Sequence, residues 1–268
     1  MNYHTIEYKE IFTGIGQVTL NRPERLNAIN HDMLDELYAF FNEIKHRDDI
    51  RVLIMTGAGR GFCSGADIKI DPSQNEERMK MFSNTALHLE NVQRKYSRII
   101  IEMRRISQPI IAAVNGVAAG GGFSMALASD IIIGNTKAAF IASFINIGLS
   151  GGELGSTYFL PKAVGSARAS EILMTGRTVL AEEAERIGLI SRLVPDKELM
   201  DTTLEIAKTL TGKSKMGLKF TKEAMRQNLN APSIEAAIEL EDRNQSICCC
   251  SPAFIEAVSA FGQLEKNG

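Results

Sequence analysis

The apolar and polar positions of the chain follow two kinds of pattern. Short continuous apolar runs predict buried strands, and they lie at Val52 to Met55, Pro109 to Val114 and Asp130 to Ile133. The segment after Asn30 instead has apolar residues at helical spacing: Met33, Leu34, Leu37, Phe40, Phe41 and Ile44. This spacing predicts an amphipathic helix with Asn30 as its N-cap. Strands that alternate with helices predict an α/β fold.

Weaker patterns complete the predicted layout. They predict strands at Thr5 to Tyr8, Gly16 to Leu20 and Leu189 to Val194, and helices at Asn75 to Ile106, Phe123 to Ala128, Ser166 to Met174 and Leu180 to Ile187. From Asp196 onward the pattern is helical, with a break at Ala231-Pro232-Ser233. We therefore predict a core in residues 1–200 and a separate helical region in residues 201–268.

Three successive glycines, Gly120, Gly121 and Gly122, stand where a strand region turns into a short apolar helix. The first amides of a helix have no partners within the helix, and they carry the positive end of its dipole. The amide of Gly121 could therefore stabilise a negative oxygen, which is worth about 3 to 4 kcal/mol in a transition state. The alternative is that the glycines serve only tight packing.

Two nucleotide-binding motifs fail on inspection. A G-x-G-x-x-G match that starts at Gly57 has Phe62 in its sixth position, so the dinucleotide fingerprint is incomplete. Gly212-Lys213-Ser214 resembles the end of a phosphate-binding loop, but Ala207 occupies the position of the upstream glycine. Neither segment predicts a nucleotide site.

Composition narrows the class of protein. The chain has 268 residues, 44% of them hydrophobic, and a net charge of −2, which argues against nucleic-acid binding. No run approaches the length of a membrane span, and the N-terminus has no signal pattern. The adjacent Cys248, Cys249 and Cys250 form neither a disulfide framework nor a zinc motif, and the four histidines show no metal spacing. We expect a cytoplasmic protein with no metal.

The run from Ile111 to Ile131, together with Cys63 to Ile68, resembles the signature of the enoyl-CoA hydratase/isomerase (crotonase) superfamily. The resemblance implies a spiral of repeated β-β-α units with a C-terminal helical oligomerisation region, assembled as a homotrimer or a dimer of trimers. It also implies that the amides of Ala66 and Gly121 together bind the carbonyl oxygen of a thioester.

The chain departs from the family pattern at two positions. Hydratases of the family carry two catalytic glutamates, and the matching positions here hold Ser124 and Phe144. Neither side chain is a carboxylic acid, so two-glutamate hydration is not expected. Glu153 matches the position of the single catalytic glutamate of enoyl-CoA isomerases in the family, and the resemblance therefore implies that Glu153 is the base.

The resemblance also assigns the binding of the CoA moiety. The loop from Arg22 to Leu26 would hold it, with Arg25 near a phosphate, and Ala66, Asp67 and Ile68 would surround the adenine. Phe144 is expected at the substrate site as well. Arg22 and Arg25 could equally be surface charges. CoA is part of the substrate, so no separate cofactor is expected.

These observations predict an acyl-CoA enzyme that stabilises a thioester enolate and most simply shifts a double bond in an enoyl-CoA. One alternative is hydration, or another thioester reaction, in which Glu153 acts with a bound water. A second is an acyl-CoA binder without catalysis, which the replacements at Ser124 and Phe144 favour. A nucleotide-dependent oxidoreductase is a more distant alternative.

Overall fold

The computed structural model describes residues 3–68 and 83–264, with side chains as far as residue 260. The predicted α/β fold is confirmed. In the described residues the strands form a six-stranded sheet of order β1-β2-β3-β5-β7-β10 and a four-stranded sheet of order β4-β6-β8-β9. The strands are β1 (Ile6–Phe12), β2 (Ile15–Leu20), β3 (Val52–Gly57), β4 (Gly61–Cys63), β5 (Ile110–Val114), β6 (Val117–Ala119), β7 (Ile131–Asn135), β8 (Ala139–Ile141), β9 (Thr178–Leu180) and β10 (Arg192–Val194).

The described helices connect and cover these sheets. They are α1 (His31–Ile44), α2 (Thr85–His88), α3 (Arg94–Arg105), α4 (Gly121–Ala128), α5 (Ser156–Val164), α6 (Ser166–Thr175), α7 (Ala181–Arg186), α8 (Leu199–Thr211), α9 (Lys215–Asn228), α10 (Ile234–Cys249) and α11 (Pro252–Leu264). A π-helical turn, Leu89–Gln93, joins α2 to α3. The predicted helix from Asn75 to Ile106 is therefore helical from Thr85 onward, and its part before residue 83 lies outside the described residues.

The β-β-α repeat is visible in the order of the strands. β3, β5 and β7 lie side by side and parallel in the larger sheet. Each is followed by a short strand, and these strands, β4, β6 and β8, are parallel neighbours in the smaller sheet. The chain thus passes from one sheet to the other in every repeat, which gives the spiral that the resemblance implies. The turn into α4 lies at the end of the second repeat.

The main core lies between α1, the sheets and the buried helix α4. Its largest fully buried side chains include Phe41, Phe62, Phe123 and Phe140. The apolar stripe of α1 faces this core as predicted, and the side-chain oxygen of Asn30 accepts a hydrogen bond of 3.0 Å from the Met33 amide. This cap satisfies one of the free amides at the start of the helix.

A second apolar cluster covers the other face of the larger sheet. Leu199 and Ala207 of α8 pack there against Val52, Ile54 and Ile111. The strands are apolar on both sides because both faces are covered, which explains why their sequences are continuous apolar runs. The boundary near residue 200 stays a prediction.

Two strand predictions had the wrong ends. β1 continues to Phe12 because its pairing with β2 runs to Ile15. β10 begins only at Arg192, since Leu189 and Ile190 fold back as a turn in which both amides donate to the carbonyl of Ala184. No helix in the described part of the chain is long and apolar enough to cross a membrane.

Candidate active site

The glycine run forms a tight turn into α4. Gly120 has φ +50° and ψ −120°, a conformation that favours glycine, and its amide donates to the carbonyl of Ile141 at 3.0 Å. A Cβ on Gly122 would lie only 2.2 Å from the carbonyl oxygen of Cys63. The glycines therefore let α4 lie directly on the backbone of β4, which brings the loop after β4 to the start of the helix.

The segment Gly65-Ala66 lies beside this turn. The amide of Ile29 donates to the Gly65 carbonyl at 2.8 Å, and the amide of Asp67 donates to the Ile29 carbonyl at 2.9 Å. In such a parallel bridge the amide of the middle residue, Ala66, points away from Ile29. A Cβ on Gly65 would lie 3.3 Å from the amide nitrogen of Gly121. The structure thus brings Ala66 close to Gly121.

The amides of Ala66 and Gly121 have no acceptor in the described part of the chain. Among the described residues, the amides of Ala66 and Gly121 donate no hydrogen bond, whereas the neighbouring amides of Gly120 and Asp67 do. Gly121 is the first residue of α4, where the helix offers no acceptor for its amide. The two free donors can accept an oxygen that carries negative charge.

Cys63 adjoins this site but does not offer a nucleophile. Its side chain is fully buried, and the amide of Gly65 lies 3.5 Å from its sulfur. Burial raises the pKa of the Cys63 thiol to about 12. The thiol therefore stays protonated at neutral pH, and thiolate chemistry is not available here.

Glu153 is half-buried and held at several points. The side-chain amide of Gln93 donates to Oε1 of Glu153 in a short hydrogen bond. The amide of Glu153 donates to Oγ of Ser156 at 3.0 Å, and Oγ of Ser124 donates to the carbonyl of Glu153 at 3.3 Å. Since Ser124 belongs to α4, the loop that carries the carboxylate is fixed to the helix that begins at Gly121.

Leu154 connects the Glu153 loop with the start of α4 by a side-chain contact. It has φ +50°, which is uncommon for a bulky side chain and found mainly where the surroundings impose it. Its Cδ1 would lie 3.7 Å from a Cβ placed on Gly121. Leu154, Gly121, Ile29 and Tyr96 are among the residues around a cavity of about 10 Å³. The space beside Gly121 is therefore nearly filled by apolar side chains.

Ser124 and Phe144 are both buried. Ser124 is 0% exposed within α4. Phe144 is buried, and its Cε1 would lie 3.5 Å from a Cβ on Gly120, so its ring packs against the glycine turn. The structure offers no carboxylate at either position, in agreement with the sequence.

The predicted CoA-binding segments meet around Asp67. Arg22 Nη2 and Arg25 Nη2 bind its two carboxylate oxygens at 2.9 and 2.8 Å, and the side chains of all three are mostly buried. Arg22 and Arg25 are therefore ion-paired with Asp67, and their part in CoA binding stays a prediction. The amide of Ser64 donates to the carbonyl of Leu26 at 3.0 Å, while Ile68 is 58% exposed.

Sequence reasoning missed three residues that shape this site. Gln93 lies 60 positions from Glu153, and no local pattern could have paired them. The strained Leu154 also left no signal beyond its place in a glycine-rich loop. Asn27 is fully buried, and its Nδ2 donates to carbonyls of the loop before β4 and of β4 itself. An asparagine between Leu26 and Ala28 was a signal for a buried structural amide.

Comparisons with known proteins identify the family of this chain. The family model described as enoyl-CoA hydratase/isomerase matches residues 10–266. A Mycobacterium bovis protein named as a probable enoyl-CoA hydratase is 43% identical over 256 residues, which cover 92% of this chain and 86% of the relative. The 1,2-epoxyphenylacetyl-CoA isomerase of Escherichia coli is 35% identical over 251 residues, with 92% of each chain covered.

A solved structure gives the same result at the level of the fold. The crystal structure of a monofunctional enoyl-CoA isomerase from M. smegmatis superposes with a TM-score of 0.74 at 40% identity. The match covers 87% of this chain and 98% of that one. With the family model matched over nearly the whole length, the chain belongs to the enoyl-CoA hydratase/isomerase (crotonase) superfamily of enzymes.

Proposed function

We propose that this enzyme moves the double bond of an enoyl-CoA from the 3,4 to the 2,3 position, with Glu153 as its single base. The observation that carries the proposal is the attachment of the Glu153 loop to α4, through the 3.3 Å hydrogen bond from Ser124 to the Glu153 carbonyl. This contact holds the backbone of Glu153 beside the helix that begins at Gly121, which supports a role for Glu153 next to the amides of Ala66 and Gly121.

In the proposed reaction the thioester oxygen accepts hydrogen bonds from both amides. Glu153 removes a proton from carbon two, and negative charge moves to the thioester oxygen. Each donor contributes about 3 kcal/mol to the stabilisation of this enolate. Glu153 then returns the proton to carbon four, which leaves the double bond between carbons two and three. No metal or redox cofactor takes part in these steps.

Gln93 is proposed to orient the base. Its hydrogen bond to Oε1 restricts the rotation of the carboxylate and leaves Oε2 to exchange the proton. A base held in this way can serve two neighbouring carbons on one face of the substrate. Positioning of this kind lowers the entropic part of the barrier.

The CoA moiety is proposed to lie along the joined loops around Asp67. Two guanidinium groups face one carboxylate there, so a single positive charge remains in excess. That excess is available to a phosphate group, with Arg25 as its first ligand and the adenine against Ala66 to Ile68. The relatives named above act, by their names, on CoA thioesters.

Hydration is the rival reaction, since relatives of both names match the chain. The buried Ser124 and the packed Phe144 ring argue against a second acid at this site. Two parallel assays separate the reactions: isomerisation of a 3-enoyl-CoA and hydration of crotonyl-CoA. We expect isomerisation to be much the faster. Faster hydration would overturn the proposal, and tight binding without either activity would identify a non-catalytic binder.

We further propose that the enzyme assembles as a trimer, or as a dimer of trimers, through its C-terminal helices. Ile234 on α10 and Ile255 on α11 are 66% and 58% exposed in the single chain. Apolar side chains of this kind on adjoining helices fit an interface between copies. Size-exclusion chromatography with light scattering measures the mass of the assembly directly. A monomer would contradict the proposed trimer.

A further inference from the structure

An open groove runs away from Glu153 along one face of α3. Its volume is about 470 Å³. One wall is formed by residues that recur at helical spacing, from the last residue of the π-helical turn through α3: Gln93, Ser97, Ile100, Ile101, Arg104 and Arg105. From Gln93, which binds Glu153, to Arg104 the face extends about 16 Å at the rise of an α-helix. The groove therefore starts at the proposed base and ends at a group of arginines.

The middle of the groove is apolar. Leu154 and Phe159 form the wall opposite α3, where they face Ile100 and Ile101. Leu154 and Ile100 also border the small cavity beside Gly121, so these two side chains line both the cavity and the groove. Ile101 is 45% exposed although it lies in this apolar surface. An aliphatic chain on the thioester would cover it.

The far end of the groove is cationic. Arg226, from α9, joins Arg104 and Arg105 there, and its Nη1 contacts only a backbone carbonyl, that of Arg104 at 3.4 Å, among the described residues. Arg104 shares the carboxylate of Asp130 with the buried Lys222, at 2.9 and 2.7 Å. The Asp130 carboxylate thus pairs with two cations, while Arg226 has no carboxylate partner among the described residues.

Lys222 has a lowered pKa, chiefly because it is buried. Burial lowers its pKa most, and the charges of Arg104 and Arg226 lower it further, against the opposite effect of Asp130. Arg105 does have an acidic partner, Glu102, but its side chain is largely exposed. A ligand with an anionic group would therefore find an unmatched charge at this end, beyond an apolar stretch.

We propose that this groove binds acyl groups that end in a carboxylate, with the carboxylate at Arg226. The substrate class is then the CoA thioesters of dicarboxylic acids rather than of simple fatty acids. This inference rests on the proposed function, because it takes Glu153 as the place where the thioester end lies. Arg226 is a specificity residue and takes no part in proton transfer.

Binding of two saturated thioesters tests the inference without turnover. Decanoyl-CoA and the mono-CoA thioester of decanedioic acid have equal chain lengths and differ in the terminal group. We expect calorimetry to show that the wild type binds the acid-ended thioester about tenfold more tightly, the usual worth of one charge-assisted hydrogen bond. Equal affinities, or a preference for decanoyl-CoA, would overturn the inference. Since neither thioester can be isomerised, a failed isomerase assay leaves this result intact.

Substitutions in the groove test whether it is the source of the preference for the acid-ended thioester. Arg226→Gln is expected to abolish it and Arg226→Lys to keep most of it, while Arg168→Gln on the exposed side of α6 serves as the control for loss of an arginine. Ile101→Glu, which places a carboxylate on the apolar groove wall and leaves Arg226 in place, is expected to weaken binding of both thioesters and to weaken binding of the acid-ended one more. An unchanged preference in both Arg226→Gln and Ile101→Glu would place the recognition elsewhere and contradict the inference.

Discussion

Oγ of Ser124 donates a hydrogen bond of 3.3 Å to the carbonyl oxygen of Glu153. Ser124 is fully buried in α4, and Glu153 lies in the loop before α5. Ser124, whose position the resemblance matches to a glutamate of the two-glutamate hydratases, therefore holds the backbone of the proposed base here. This contact ties the position of the proposed base to the helix whose first amide is Gly121.

Replacement of Ser124 by alanine tests this tie. Ser124→Ala is expected to lower the free energy of unfolding by about 1 kcal/mol, the value of one neutral hydrogen bond. It should also lower kcat several-fold with little change in KM, because the carboxylate loses its fixed position. Ser129→Ala is the matched control, since Ser129 is also buried and donates to a backbone carbonyl, that of Met125, at 3.1 Å. An equal loss of kcat in both variants would show that Ser124 has no special role.

Two neighbouring glycines should respond very differently to alanine. A Cβ on Gly122 meets the backbone of Cys63 at 2.2 Å, which cannot move without displacing β4. A Cβ on Gly121 meets Cδ1 of Ile29 at 2.9 Å, the end of a flexible side chain. Gly122→Ala is expected to cost about 3 kcal/mol or more of stability, and Gly121→Ala less than about 1.5 kcal/mol.

The same pair separates folding from catalysis. Gly121→Ala should remain folded, since its new methyl group meets only the end of the Ile29 side chain. It should lose most of its activity, because the same methyl group would crowd the space where the thioester oxygen is proposed to bind. Thermal unfolding and steady-state kinetics of the two variants check both expectations. A Gly122→Ala protein as stable as the wild type would contradict the close contact between α4 and β4.

Asp67 is expected to be important for both stability and CoA binding. Asp67→Asn removes the charge that Arg22 and Arg25 share in a mostly buried site, and we expect a loss of about 2 kcal/mol in the free energy of unfolding. KM for the thioester should rise more than kcat falls, since the loops bind and do not react. Asp49→Asn, in the exposed pair with Arg47, is the control and should change neither. A larger effect on kcat than on KM would contradict a binding role.

Glu36 should make the stability depend on acid pH. Burial raises the pKa of Glu36, but hydrogen bonds from Oγ1 of Thr5 and from the amides of His4, Thr5 and Ile6 outweigh it and lower the pKa below its ordinary 4.5. A lowered pKa in the folded state stabilises the protein above pH 4.5, and this stabilisation is lost as the pH falls through the folded-state value.

Chemical denaturation of Glu36→Gln at several pH values measures this dependence. The wild type should exceed the variant by about 1 to 3 kcal/mol at pH 7, and the difference should shrink steadily below pH 4.5. Glu7→Gln, which removes a carboxylate paired with the exposed Lys9, is the control. A difference for Glu36→Gln that stays constant between pH 7 and pH 3.5 would contradict the assignment.

Local patterns in the sequence predicted much of the fold. The apolar runs of β3, β5 and β7 and the stripe of α1 are each visible within a few neighbouring residues, because burial imposes a regular spacing on them. The ends of β1 and β10 were not predictable in this way. They depend on hydrogen-bond partners outside the strand itself, namely β2, the next strand, for β1 and the carbonyl of Ala184 in α7 for the turn before β10.

The candidate site also has features that local sequence patterns predicted and features that they did not. The motif around Ala66 and the motif around Gly121 are each a short continuous stretch of sequence, so each could be recognised. The structure brings the two stretches together. Other features of the site result from tertiary packing. They are the contact of Gln93 with Glu153, the pairing of Arg22 and Arg25 with Asp67, and the positive φ of Leu154. No spacing in the sequence encodes them.

Exchange of the carbon-two proton of an acyl-CoA for solvent deuterium, compared between the wild type and Glu153→Gln, tests the central claim most directly. The glutamine keeps an oxygen for the hydrogen bond from Gln93, so the variant should fold and bind the thioester with unchanged affinity. We predict that its exchange rate falls by about 10² to 10⁴-fold, while the control Glu171→Gln on the exposed face of α6 exchanges at the wild-type rate. Wild-type exchange in Glu153→Gln would contradict the account.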